Sequence, residues 1–214
     1  MIHLNDINGA SQRTIECARM CLTAFTGMLV GAEFGIAYGG GVEAIGKLWA
    51  NRGIIYGFDT FTGHPQEVAD RCEYTQAAGG RSSFAARCMD EWYKPDRFGT
   101  EALTYEYQRA ELDRQGLHNV ILVKGMVDDT TSISYIPRLH YCLLDLDYPL
   151  SMWQAYNLVK NKMVPGGYLC LHDVIPPGHI PGCNEVYQRI LAEDLFAVHL
   201  EHPAPVHLVI LRKK

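Results

Sequence analysis

The chain has 214 residues, 48% of them apolar, enough for a sizeable core and better suited to one domain with an insertion than to two full domains. A formal charge of -5, a pI near 6.0 and no Lys/Arg run leave no basic field for contacts to a phosphate backbone, so no nucleic-acid partner is expected. No run of 18 apolar residues and no basic-then-apolar leader occurs, which sets the expectation of a cytoplasmic protein without a membrane partner.

The predicted elements alternate. Ile15, Ala18, Leu22 and Phe25 recur at three- and four-residue spacing behind Ser11, a candidate cap, and predict a helix over 11–25. Short apolar runs and helical patterns then come in order: strand 28–34, helix 41–51, strand 54–59, helix 100–115, strands 119–124 and 140–146, helix 151–162, strand 167–172 and helix 183–192. This βαβ alternation predicts an α/β fold, a doubly wound and mostly parallel sheet covered on both faces. The tail differs, because "LFAVHLEH" and "VHLVILRKK" are separated only by "PAP", too short for a helical crossover; they predict an antiparallel hairpin. Residues 66–99 lack clear periodicity and predict an inserted lid or partner-contacting arm, with Trp92, Tyr93 and Phe98 as aromatics that could close over a substrate. The seven cysteines form no CxxC pair and sit mostly in apolar runs, so reduced core thiols are expected.

In such a sheet the first strand-to-helix turn is the usual cofactor cradle, and here it reads "EFGIAYGGG", with Gly35, Gly39, Gly40 and Gly41. A flexible turn without a ligand remains the plain alternative. Asp59 ends the second strand about 20 residues on, where a carboxylate can accept from both hydroxyls of an adenosine ribose; a nicotinamide dinucleotide and S-adenosylmethionine both suit it, as does a turn-capping role. Glu33, two residues before Gly35, separates the two cofactors, because its charge would repel a pyrophosphate and attract an ammonium. Ala37, at the place of a nucleotide fingerprint's second glycine, also leaves less room for a pyrophosphate. S-adenosylmethionine is therefore the expected cofactor, with a nicotinamide-dependent oxidoreductase and a non-catalytic cofactor-binding protein as the rivals.

The stretches "EFGIAYGGG", "GFDTFTGHP", "KGMVDDT", "LLDLDYPLSMWQAYNLVKNKMVPGGYLCLHD" and "PGCNEVYQRI" together resemble class I methyltransferases, and more narrowly the macrocin O-methyltransferase family, which methylates sugar hydroxyls on natural products. The resemblance implies that Glu33, Gly35 and the following turn, with Tyr38 and Gly39, hold the methionine part of the cofactor. It further implies Asp59 with Thr60 at the ribose, Gly125 with Met126 near the adenine, and Asp145 beside the cofactor.

"LLDLD" places Asp145 and Asp147 at one strand end, and "YLCLHD" places His172 and Asp173 at the next, so neighbouring parallel strands would bring the four together. The resemblance implies a magnesium site, here drawn from Asp145, His172 and Asp173; His172 stands where the family has an acid, and imidazole suits manganese, iron or zinc better than magnesium. Methyl transfer to a hydroxyl needs in-line placement, a cation or other charge control at the oxygen, and a base. Asp145, His172 and His179 are the catalytic candidates, with His64 behind them. The expected partner is a small-molecule hydroxyl acceptor, and a homo-oligomer is left open.

Overall fold

The computed structural model describes residues 9–63, 100–128, 130–175, 182–202 and 207–214. In chain order the elements are α1 (Gly9–Ala24), β1 (Leu29–Phe34), α2 (Gly40–Leu48), β2 (Gly53–Asp59), a 3-10 turn (Thr100–Leu103), α3 (Tyr105–Arg114) and β3 (Val120–Lys124). They continue with β4 (Leu139–Leu144), α4 (Pro149–Val159), β5 (Met163–His172), α5 (Cys183–Ala192), β6 (Phe196–His202) and β7 (Leu208–Lys213). The seven strands form one sheet in the order β3-β2-β1-β4-β5-β7-β6. Pairings from β3 through to β5 are parallel, while β7 runs antiparallel to both β5 and β6. The expected parallel sheet ending in a hairpin is what the chain forms.

Burial follows from covering both faces. All six residues of β4 are buried; Tyr141 and Leu143 pack with Trp49, Cys17 and Cys21 on one side, whereas Cys142 and Leu144 pack with Met152, Tyr156 and Ile190 on the other. Strand β7 alternates the same way, Leu208 and Ile210 toward the first cluster and Val209 and Leu211 toward the second. Cys17, Cys21, Cys142, Cys170 and Cys183 are buried and form no disulfide among the described residues, as core thiols should be.

Several boundaries differ from the sequence expectation, each for a local reason. Ser11 lies in the first turn of α1 rather than before it. Helix α2 stops at Leu48, because Trp49 turns out of helical geometry and its indole is fixed instead by donating to the Ala18 carbonyl at 2.9 Å. The stretch 100–115 divides into a 3-10 turn and α3; Thr104 takes an extended conformation between them and its hydroxyl accepts the Tyr107 N–H. Strand β5 starts early, at Met163 opposite Leu139, then slips register before Tyr168 meets Tyr141. Pro165, which has no N–H, and Gly166, at φ 80°, lie within that interruption.

Strand register gathers the acidic residues at one place. The parallel pairing of β1, β2 and β4 brings Glu33, Asp59 and Asp145 out at the same carboxyl edge of the sheet. Pairing of Leu144 with Leu171 makes Asp145 and His172 leave that edge side by side.

Candidate functional site

The turn after β1 is closely packed against the chain's own polar atoms. Gly35, at φ 86°, lies against β4: a Cβ there would stand 1.8 Å from the Asp145 carbonyl oxygen. At Gly41 a Cβ would stand 2.6 Å from both carboxylate oxygens of Glu33. These glycines are required by close approach of the protein to itself, so the space behind the turn is already filled and is not held open for a phosphate.

Glu33 is 5% exposed, and its Oε2 has no hydrogen-bond partner among the described residues. Burial, reinforced by the neighbouring charges of Asp145 and Asp59, pushes its pKa up to about 8. A buried acid in this state is stabilised by an incoming cation. No Arg or Lys forms an ion pair with Glu33 among the described residues.

Asp59 serves the turn directly. Its Oδ2 accepts the Ala37 N–H at 3.0 Å and its Oδ1 accepts the Phe61 N–H at 2.8 Å. Burial raises its pKa, and the N–H groups of Phe61, Ala37 and Ile36 hold that rise back. With a longer contact from the Thr60 hydroxyl to Oδ1 at 3.4 Å, these bonds show that the capping role is real and leave only part of a carboxylate's roughly four acceptor sites for a ribose hydroxyl. Thr60 donates to the Gly63 carbonyl at 2.8 Å and so shapes the turn after β2. Gly125 joins the same edge by donating its N–H to the Asp59 carbonyl at 2.9 Å, and the Met126 carbonyl accepts the Thr131 hydroxyl at 3.1 Å. Tyr38 is half-buried within the turn itself.

Asp145, His172 and Asp173 form the one group among the described residues able to hold a metal ion, with one donor atom from each lying within 4.8 Å of the others. His172 Nδ1 is 2.9 Å from Asp145 Oδ1 and 3.1 Å from Asp173 Oδ2. Burial opposes a charged imidazole here, but the charges and hydrogen bonds of Asp145 and Asp173 outweigh it and raise the His172 pKa well above the ordinary value. Asp173 takes a left-handed φ of 56°, with its N–H bonded to the His207 carbonyl at 2.9 Å. Asp147 stands outside the donor group, half-buried at φ 58°, with its pKa raised to about 8 by desolvation and by Asp145 and Asp173. His179, His64 and the aromatics Trp92, Tyr93 and Phe98 lie outside the described residues.

One residue of the site escaped the sequence reading. Gln108, on α3, is 5% exposed and donates through Nε2 to the Ala37 carbonyl at 2.6 Å. The available signal was its position four residues before Leu112, on the buried face of a helix that is otherwise polar.

No protein-family model matches the chain, and no curated protein matches its sequence. Solved structures do match. The O-methyltransferase NovP superposes with a TM-score of 0.68 at 19% identity, covering 95% of this chain and 79% of its own. The calicheamicin methyltransferase CalS11 gives 0.60 at 21% identity, over 94% of this chain and 77% of its own. An O-methyltransferase from Bacillus cereus, in complex with SAH, gives 0.57 at 11% identity, over 99% of this chain and 84% of its own. At these identities the likeness is one of fold, and the fold is that of the class I S-adenosylmethionine-dependent methyltransferases.

Proposed function

We propose that the chain is an S-adenosylmethionine-dependent O-methyltransferase that acts on a hydroxyl of a small molecule, a sugar or glycosylated natural product, with a divalent cation at Asp145, His172 and Asp173. The observation that carries the cofactor assignment is the buried Glu33 carboxyl beside the glycine turn, whose unpartnered oxygen suits an ammonium group, since such a cation offsets the burial that raises its pKa. The packed space behind Gly35 and Gly41 points the same way. The acceptor class is supported by CalS11, described as a TDP-rhamnose 3'-O-methyltransferase.

In this reading Glu33 takes the amino group of the methionine part, and the turn from Gly35 through Tyr38 to Gly39 encloses it. Asp59 uses its remaining acceptor sites on the ribose, beside the turn set by Thr60. Gly125 and Met126 border the adenine.

The donor set fits a divalent cation, since two carboxylates and an imidazole already converge. Such an ion supplies a lowered pKa for an acceptor hydroxyl. Asp145 and Asp173 would hold it through oxygen, and His172 through Nδ1 after losing the proton it shares with them. Ligation and proton abstraction compete for that same nitrogen, so His172 serves as ligand here and His179 remains the histidine candidate for the base.

The test is methyl transfer from S-adenosylmethionine to a panel of nucleotide sugars and glycosides, with and without EDTA, alongside thermal shift with S-adenosylhomocysteine and NADH. Stabilisation by S-adenosylhomocysteine and EDTA-sensitive methylation are expected. Stabilisation by NADH alone would return the oxidoreductase reading, and S-adenosylhomocysteine binding without turnover on any acceptor would favour a non-catalytic binding protein.

A further inference from the structure

Gln108 makes a set of contacts that no general packing role requires. Its Nε2 reaches three carbonyl oxygens, those of Ala37 at 2.6 Å, Ala102 at 3.1 Å and Leu103 at 3.4 Å. Three acceptors around one nitrogen fix the orientation of the amide. Its Oε1 is buried with no hydrogen-bond partner among the described residues, and a Cβ on Gly39 would stand 2.7 Å from it.

The residue at the other end of the shortest of these bonds is strained. Ala37 has φ 48°, a left-handed conformation that a side chain disfavours. Its N–H is held by Asp59 and its C=O by Gln108, so both polar groups of the strained residue are fixed from outside the turn. A turn with alanine in this place needs external restraint to keep one shape, and the two side chains that supply it come from β2 and α3.

We propose that Gln108 is a positioning residue for cofactor binding: it locks the Ala37 turn in its binding shape and couples that turn to the Thr100–Leu103 segment. This deepens the proposed methyltransferase function and rests on it for the identity of the ligand. Gln108 touches the turn and not the reacting atoms. Its acceptor-only oxygen against Gly39 also makes the packing exclusive, so that a side chain at Gly39 and the locked Gln108 cannot coexist.

The test compares Gln108→Met, which keeps the side chain's length without its hydrogen bonds, with Leu112→Ala, a change at a buried residue of the same helix that makes no hydrogen bond to the turn. Two readouts are taken on the full chain, amide exchange of residues 35–41 without ligand and S-adenosylhomocysteine affinity by calorimetry. For Gln108→Met, turn exchange should rise about tenfold and affinity fall about tenfold, the size of one lost buried hydrogen bond. Leu112→Ala should lower the melting temperature and leave both readouts near the parent's. Unchanged exchange in Gln108→Met, or an equal rise in Leu112→Ala, would overturn the proposal. The exchange readout stands even if the parent protein fails to bind S-adenosylhomocysteine, an outcome that would instead count against the cofactor assignment.

Discussion

At the end of β1, Glu33 is buried with one oxygen unpartnered among the described residues, whereas at the ends of β4 and β5 the carboxylates of Asp145 and Asp173 share the imidazole of His172. Both groups are acidic and both sit at one edge of one sheet, yet their charges are handled oppositely. Glu33 is kept uncharged by burial, with a pKa of about 8, and gains by meeting an external cation. The Asp145 and Asp173 carboxylates instead have an internal partner in the His172 imidazole, whose pKa they raise. In the proposed function this difference would separate two ligands, an ammonium beside the glycine turn and a divalent ion at the ends of β4 and β5.

The largest expected effect comes from the residue that serves both turn and ligand. Asp59→Ala removes the acceptor of the Ala37, Phe61 and neighbouring Ile36 N–H groups, and with it the proposed ribose contact. Stability should fall by about 3 kcal/mol and S-adenosylhomocysteine affinity by roughly 100-fold or more, read by chemical denaturation and calorimetry. Unchanged affinity would leave Asp59 with its capping role alone.

Glu33→Gln tests the first half of the comparison. Affinity for S-adenosylhomocysteine should drop about 10- to 100-fold, through loss of one charge-assisted contact. Stability should move the other way. Because the folded-state pKa of Glu33 is about 8, above the ordinary 4.5, its stabilising protonation is fully present below about pH 4.5 and lost as pH rises toward 8. The parent therefore loses up to about 1.4 kcal/mol per pH unit across that window from this group, a loss the Gln variant lacks. Melting temperatures that run parallel from pH 5 to 9 would contradict the raised pKa.

The second half is sharpened by His172→Asp, which should shift the ratio of Mn2+ to Mg2+ affinity toward Mg2+ by on the order of tenfold, measured by electron paramagnetic resonance with Mg2+ competition. In the parent, cation binding should strengthen as pH rises, since His172 must first lose its proton. Pairs away from this edge mark the baseline: Glu193→Gln disturbs the contacts to Tyr156 and Lys160 on the helical layer, and should cost no more than about 1 kcal/mol with affinity unchanged.

How much of this was legible in sequence depends on how local each signal is. The mostly parallel sheet with its terminal hairpin could be anticipated because β4 reads as an uninterrupted buried run and "PAP" leaves no room for a crossover. Convergence of Asp145 with His172 came from parallel neighbours ending together, a regularity of strands that survives without coordinates. Gln108 was hidden because its partner Ala37 lies 71 residues away and helix α3 is otherwise polar. The glycine turn was located correctly but for a partly different reason. Gly35 and Gly41 are small to admit the Asp145 carbonyl and the Glu33 carboxylate, atoms whose approach no pattern of residue types could reveal.

The most direct measurement of the central claim is calorimetric titration of the full chain with S-adenosylhomocysteine at pH 7, repeated in two buffers of different ionisation enthalpy, with NADH titrated in parallel. The account predicts binding of S-adenosylhomocysteine with release of close to one proton, as Glu33 ionises against the ligand ammonium, and no binding of NADH. Binding of NADH in its place, or S-adenosylhomocysteine binding with a proton release that Glu33→Gln leaves unchanged, would contradict it.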